Sequence, residues 1–187
     1  MNTHVDIEIV SAASGPLLVP ELAALLIDVV EHDASIGFLA PLGMDAARRY
    51  WQGVVEELTH GNLRMWVARV NGLVVGTVQL DPCPRANGRN RAEVCKLMVH
   101  SGSRGQGIAS LLMAALEGCA RKLDRGLLYL DTEAGSPAEK LYQSLGYTRV
   151  GTVPDYAAKP DGTLIATAYY YKQLIDRSLS PMPGGTV

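Results

Sequence analysis

The chain of 187 residues has no excess of charge of either sign and no long apolar run. Seventeen Lys and Arg residues stand against 19 Asp and Glu residues, so the formal net charge is −2 at pH 7. Such a balance argues against a binding surface for nucleic acid or for an anionic membrane. No apolar run approaches the roughly 18 residues that cross a bilayer, which argues against a membrane-spanning protein.

The sequence is also poor in cysteine and has no clustered metal ligands. Its three cysteines, Cys83, Cys95 and Cys119, are widely spaced and form no Cys-x-x-Cys pattern. Scattered thiols in odd number indicate reduced cysteines, two of them in the core, and the four histidines have no metal-like partner at helical spacing. We therefore expect no metal. The N-terminus lacks the charged and then apolar segments of a secretory signal, so we expect a cytoplasmic protein.

The length and composition predict one domain. Apolar residues make up 48% of the chain and charged residues 19%, an ordinary composition for a globular protein with a real core. We expect the domain to cover residues 1–175. The last residues, 176–187, contain too little apolar surface to order themselves and are expected to form a flexible tail.

Periodicity predicts seven strands and four helices. The expected strands cover residues 5–10, 63–70, 73–80, 94–99, 127–132, 147–153 and 165–172. The expected helices run from Pro20 at the first helical position to 31, from a capping Asp45 to a stop at Gly61, over 108–119, and over 137–145. Asn71-Gly72 predicts a tight hairpin, and 154–164 is expected to be a loop. The fourth and fifth strands are joined through a helix, so they should be parallel in a mixed α/β sheet with helices on both faces.

A glycine-rich turn lies between the fourth strand and the third helix. Residues 101–107 read SGSRGQG, with three glycines in six positions. Backbone amides at such a helix start, with the helix dipole behind them, form a site for phosphate oxygens. A P-loop is excluded because no Gly-Lys-Ser/Thr follows, and a Rossmann fingerprint is disfavoured because Ser110 occupies its third glycine position.

The run Arg104-Gly105-Gln106-Gly107-Ile108-Ala109 matches the Arg/Gln-x-x-Gly-x-Gly/Ala signature of the GNAT acetyltransferases, which the chain resembles in element order as well. The segment 138–147, AEKLYQSLGY, is similar to the family's second signature, although Gly135 stands where the family often has Asn. The runs NRAEVCKLMV, RGLLYLDTEAGSPAE and YTRVGTVPDYAAKPDG are similar to one branch of the family, the tabtoxin-resistance acetyltransferases. This resemblance implies a GNAT-like single domain that uses acetyl-CoA as cosubstrate, without metal.

The resemblance also implies where the functional residues lie. It assigns acetyl-CoA to the backbone of Leu97, Met98 and Val99 and to the loop from Arg104 to Ala109, and it assigns protonation of the leaving thiolate to Tyr142. Deprotonation of the acceptor amine requires a base, and Glu93 and Asp131 are the candidates because both lie on central strands. Cys95 could carry a covalent acetyl group, but no histidine is placed to activate it, so we expect a core residue.

The expected function is transfer of acetyl to the amine of a small amino-acid-like or antibiotic or toxin substrate, by direct attack in a ternary complex. Two alternatives stay open: a protein or peptide N-acetyltransferase, and an acyl-CoA-binding regulatory module without catalysis. Residues 32–43, HDASIGFLAPLG, are expected with equal weight to be an apolar plug between helices or a loop that lines the substrate site. We expect no nucleic-acid or membrane partner, and both monomer and homodimer remain compatible with the sequence.

Overall fold

The computed structural model describes residues 4–177, so residues 178–187 of the expected tail lie outside the described part. The strands are β1 (Val5–Ile9), β2 (Arg64–Val70), β3 (Leu73–Pro82), β4 (Arg91–Val99), β5 (Leu127–Glu133), β6 (Thr148–Ala158) and β7 (Leu164–Gln173); the helices are α1 (Gly15–Glu31), α2 (Met44–His60), α3 (Ile108–Lys122) and α4 (Pro137–Ser144). The strands form one sheet in the order β1-β2-β3-β4-β5-β7-β6. The expected mixed α/β sheet is confirmed.

Two apolar clusters hold the helices on opposite faces of the sheet. The apolar faces of α1 and α2 pack with Met65, Val67, Val74 and Met98 on one face. Leu112, Met113 and Leu116 of α3 pack on the other face, with Tyr142 of α4 in the same cluster. The cluster on the first face includes no residue of β5, β6 or β7, and α1 makes its main strand contacts with β3 and β4. Within residues 4–177 no helix therefore packs closely on the first face of β5, β7 and β6.

The beginnings of the first two helices differ from the expected ones. α1 begins at Gly15, with Pro16 in the first turn, and Pro20 lies inside the helix. Burial of Leu18 and Val19 offsets the backbone hydrogen bond that Pro20 cannot donate. Gly43, not Asp45, is the N-cap of α2, and the Asp45 carboxylate lies in the first turn, where it favours the helix dipole without capping.

The turn predictions have different outcomes. The hairpin between β2 and β3 is confirmed, with positive φ at both Asn71 and Gly72. The expected loop at 154–164 is wrong in its first part, because β6 continues through Pro154 to Ala158. A proline is tolerated there because β6 is an edge strand whose register shifts between Val153 and Ala157, and Asp155 has a φ of 51° in that bulge.

The strands β4 and β5 are parallel, as expected, but they pair over only three residues. The register joins Arg91, Ala92 and Glu93 to Leu127, Leu128 and Tyr129 and then stops. Three residues beyond the last pair β4 is bulged: Lys96 has a φ of 52°, and the pairing of β4 with β3 shifts register there. Beyond Glu93 the two strands therefore diverge and leave a gap in the middle of the sheet.

A carboxylate on α1 fixes the turn that follows β4. Asp28 accepts hydrogen bonds of 2.7 Å from both the backbone N–H and the hydroxyl of Ser101, and its Oδ1 lies 3.5 Å from Nε2 of His100. Partial burial alone would raise the pKa of Asp28, but the bonds from Ser101 outweigh it and lower the pKa. The anchored turn leads directly into the glycine-rich loop.

We expect Asp28→Asn to lower the free energy of unfolding by about 1–3 kcal/mol at pH 7, because the amide loses a charge-assisted hydrogen bond. A carboxylate with a lowered pKa stabilises the fold above its unfolded pKa of 3.8, and this contribution is lost as the pH falls through the folded pKa. Urea unfolding at several pH values measures the difference, which should shrink below pH 4. Asp155→Asn on the exposed edge is the control; an Asp28 variant as stable as this control would contradict the anchor.

Candidate functional site

The glycine-rich loop leaves the start of α3 open to a ligand. Gly105 and Gly107 have φ values of 76° and 78°, a region that favours glycine, and a Cβ at either would meet no atom within 4 Å. Gly107 is the N-cap of α3 and provides no side-chain cap, so first-turn amides remain available. Ile108 is buried and holds the helix in place, while Ala109 is half-buried and Gln106 exposed. This geometry fits phosphate oxygens.

Arg104 lies at the rim of the loop and is tied to the end of β4. Its Nε donates a 3.3 Å hydrogen bond to the carbonyl oxygen of Val99, while the residue as a whole is exposed. The segment Leu97–Val99 borders the gap beyond the paired part of β4 and β5. Met98 is buried against α1 and α2, and Leu97 and Val99 pack on the α3 side, so backbone rather than side chains is available at the strand edge.

Both candidate bases lie on the sheet face that carries no helix at β5. Glu93 accepts a 3.0 Å hydrogen bond from the hydroxyl of Tyr129, its register partner. Asp131 is two residues further along β5, on the same side as Tyr129, because Leu128 and Leu130 are buried on the other side. The structure therefore brings Glu93 and Asp131 to one face on either side of the gap.

The surroundings of Asp131 favour its protonated form more than water does. The residue as a whole is exposed, but the protein atoms around its carboxyl group desolvate it and raise the pKa, an effect that the charge of Lys96 opposes. A carboxylate with a raised pKa is a stronger base than an ordinary aspartate. Tyr169, its register partner on β7, lies edge-on to Tyr156 with ring centroids 5.8 Å apart. Aromatic rings thus continue the acidic face toward β6.

Tyr142 reaches the gap from α4 on the opposite face. The residue is buried, which raises its pKa, and the charges of Asp131 and Cys95 raise it further. Its ring packs edge-on against Tyr147 at 5.7 Å. The hydroxyl makes no hydrogen bond within residues 4–177. Its oxygen is not fully enclosed by protein atoms either, so solvent can reach it. A protonated, accessible hydroxyl at the gap can donate a proton.

Cys95 is half-buried, and desolvation followed by the charge of Glu93 raises its pKa to about 12. The thiol is therefore protonated at neutral pH and is a poor nucleophile. This supports the expected structural role for Cys95. All three cysteines are free and partly buried, and Cys119 packs against the core cluster on the α3 face.

The loop at 32–43 packs against the α1–α2 layer, as the plug expectation has it, and its role in lining a substrate site stays a prediction. Phe38 packs edge-on against Tyr50 at 5.1 Å, with Ile36 and Leu42 against the same cluster. The loop also reaches the β6–β7 turn, where Ala40 N–H donates 2.8 Å to the carbonyl oxygen of Pro160. It therefore plugs the end of the α1–α2 layer and borders the open face.

Sequence reasoning missed Lys96 and the tyrosines of the open face. Lys96 looks like an ordinary polar residue between Cys95 and Leu97, and only the bulge reveals that it shares a face with its predecessor. Tyr129 and Tyr169 could have been found, because alternation places them opposite the buried Leu128 and Ala168.

Gly135, which replaces a family Asn, has a φ of 81° and donates its N–H to Glu139 Oε1 at 2.6 Å.

Two further features bear on the class of site. Within residues 4–177 no group of three His, Cys, Asp or Glu side chains is arranged to hold a metal ion. None of the helices described is long and apolar enough to cross a membrane.

Comparison with known proteins agrees with this geometry. The chain is 37% identical to the N-acetylaspartate synthetase of Danio rerio over 92 residues, 49% of this chain and 32% of that protein. It spans 32% to 59% of the length of the curated relatives that it matches.

Among solved structures, a ribosomal-protein-alanine N-acetyltransferase of Brucella melitensis superposes with a TM-score of 0.73 at 26% identity, covering 90% of this chain and 99% of that one. The protein yncA of Salmonella typhimurium, solved with its cofactor acetyl-CoA, gives 0.74 at 20% identity, covering 96% and 99%. The model of the acetyltransferase (GNAT) family matches residues 28–147. Because this match covers more than half of the chain, the protein belongs to the GNAT family of acetyltransferases.

Proposed function

We propose that the protein is an acetyl-CoA-dependent N-acetyltransferase that acetylates the amine of a small amino-acid-like, antibiotic or toxin substrate by direct attack in a ternary complex. The observation that carries this proposal is the gap between β4 and β5. The glycine-rich loop lies at the end of β4 that borders the gap, and the gap is flanked by the Tyr142 hydroxyl on one face and by two carboxylates on the other.

The residues present fit acetyl-CoA. Open space at Gly105 and Gly107 lets phosphate oxygens approach the backbone amides, and Arg104 adds a permanent positive charge. The edge of β4 from Leu97 to Val99 is free of β5 and offers backbone groups to the amides of a pantetheine arm. When bound there, acetyl-CoA supplies an activated acyl group.

The chain's own residues meet the three needs of acetyl transfer. An amine with a pKa near 10 is unprotonated in only about one molecule in a thousand at pH 7. Glu93 and Asp131 would take the proton, directly or through water. Backbone amides of β4 at the gap would polarise the carbonyl, and the Tyr142 hydroxyl would give a proton to the leaving thiolate. The high pKa of Cys95 favours direct attack over a covalent acetyl-enzyme.

Two observations support a small acceptor. The loops at 32–43 and 159–163 are joined by the Ala40–Pro160 hydrogen bond and by the ion pair of Lys159 with Asp33, so they narrow the approach to the open face. The fish relative is named for acetylated aspartate, an amino acid, and the sequence runs similar to tabtoxin-resistance acetyltransferases point the same way. The Brucella protein is named for a ribosomal protein, which keeps a protein acceptor as the second candidate.

We expect Gly107→Val to abolish acetyl-CoA binding in calorimetry, because a side chain would lie between backbone amides and phosphate oxygens. The substitution also imposes a positive φ on valine, so a matched strain control is needed. Gly61→Val introduces the same residue at a φ of 74° at the end of α2 and should bind acetyl-CoA normally. If both variants fold and bind equally, the loop is not the phosphate site.

Tyr142→Phe should lower kcat by roughly 10²-fold or more, the usual scale for one acid–base group. Because the hydroxyl has no internal partner, thermal stability and acetyl-CoA affinity should change little. Tyr147→Phe, which removes a hydroxyl from the neighbouring ring, is the control. If the Tyr142 variant turns over at a rate close to that of the wild type, the hydroxyl does not protonate the leaving group and Tyr142 only packs in the core.

Glu93→Gln and Asp131→Asn should each lower turnover on small amines by roughly 10²-fold and move the plateau of the pH–rate profile to higher pH. Without a base in the site, the amine must lose its proton to solvent, which happens only nearer its own pKa. Thiol release over pH 6–10 measures the shift, with Glu56→Gln on α2 as the exposed control. Unchanged profiles for both variants would show that the proton leaves elsewhere. A protein inactive on every amine while it binds acetyl-CoA would instead support a non-catalytic acyl-CoA-binding module.

A further inference from the structure

We propose that the ammonium group of Lys96 binds a carboxylate of the acceptor, and that the acceptor is therefore a zwitterionic amino acid whose amine lies toward Glu93 and Asp131. This inference rests on the proposed function and adds the acceptor's second charged group. Neither the sequence signatures nor the family assignment identifies Lys96.

The bulge in β4 places Lys96 where regular alternation would not. Ala92 and Val94 belong to the cluster on the α3 face, so Lys96 in a regular strand would point there too. Its contacts are instead with Ile36, Phe38 and Tyr50, all on the α1–α2 face. The bulge therefore places Cys95 and Lys96 on the same side of β4. Lys96 points to the open face at the level of the gap.

The loop at 32–43 holds the Lys96 ammonium in a defined position. Its Nζ donates a 2.7 Å hydrogen bond to the carbonyl oxygen of Ile36 and lies 5.9 Å from the ring centroids of both Phe38 and Tyr50. A Cβ at Gly37 would be only 3.3 Å from Nζ, so the loop passes the ammonium closely without a side chain. These contacts use one of three N–H donors and leave two for a ligand.

Within residues 4–177 Lys96 has no carboxylate within 4 Å. The other partly buried lysines do: Lys172 binds Glu117 at 2.8 Å, and Lys159 binds both Asp33 and Glu133. Partial burial lowers the pKa of Lys96, and the negative charges of Asp131 and Glu93 only partly oppose this. A half-buried cation without a counterion is costly, and an anionic ligand removes that cost.

The charges around Lys96 set the direction in which the acceptor lies. Asp131 and Glu93 are near enough for their charges to act on Lys96. Asp81 on β3 is the register partner of Glu93 on β4, so its carboxylate lies on the same face. An acceptor with only an amine would enter a face with three carboxylates and add a second cation beside Lys96. An amino acid places a carboxylate a few bonds from its amine, so both of its charges find an opposite charge.

The test compares each L-amino acid in a panel with its own amide, using thiol release to obtain kcat and KM. The amide carries a net positive charge and its amine is less basic than that of the free acid. If only the carboxylates of the site bound the acceptor, the amide would therefore be the better substrate. With Lys96 engaged, kcat/KM should favour the free acid by about tenfold or more, mainly through KM. Lys96→Met keeps the stem against Phe38 and Tyr50 and should remove or reverse this preference. Lys96→Arg should retain part of it.

Lys122→Met removes the same charge from the exposed end of α3 and should leave the preference intact. Calorimetry of the preferred amino acid, with CoA in place of acetyl-CoA, should show binding to the wild type and at least tenfold weaker binding to Lys96→Met.

The outcomes separate this inference from the proposed function. Transfer to acids and amides with equal efficiency in the wild type would overturn the role of Lys96 and leave the N-acetyltransferase intact. A Lys96→Met variant that loses kcat equally on acids and amides would assign Lys96 to the reaction itself or to holding the loop, and would also overturn it. Absence of transfer to every acid and amide, with acetyl-CoA still bound, would contradict both.

Discussion

The site depends on the early end of the pairing between β4 and β5. Parallel strands in the middle of a sheet normally pair along their common length, because unpaired backbone groups are costly when buried. Here the pairing stops at Glu93, and the bulge at Lys96 turns β4 away. The gap that results leaves the edge of β4 unpaired and lets Tyr142 of α4 approach it from the α3 face of the sheet. Asp131 on β5 and Lys96 on β4 then lie on the same open face, Lys96 because the bulge directs it there.

Much of the fold could be predicted because its local rules agree with its packing. The Asn71-Gly72 hairpin, the helix stop at Gly61 and the strand–loop–helix around Gly107 each follow from backbone geometry that few other residues adopt. The start of α1 could not be predicted in this way. A proline usually opens a helix, but here α1 begins five residues earlier, where burial of Leu18 and Val19 outweighs the hydrogen bond lost at Pro20.

The candidate site could be predicted less completely, for a physical reason. Glu93, Asp131 and Tyr142 lie on regular elements, so motif and alternation place them near the gap. Lys96 lies at a bulge, and a single extra residue reverses the face of every side chain after it. Nothing in the local sequence marks that reversal, because lysine has no preference for a φ of 52°. The contact of Lys96 with Ile36, 60 residues away, depends on the complete packing of α1 and α2.

The interrupted edge strand has a consequence for self-association. A long, straight edge with free N–H and C=O groups is a template for strand addition and for aggregation. β6 is one edge of this sheet, and it is broken by the register shifts after Arg149 and Val153 and by the missing N–H of Pro154. β1, the opposite edge, is only five residues long. Each edge therefore offers a neighbouring molecule few consecutive hydrogen bonds, which protects a sheet with an open face against fibre-like growth.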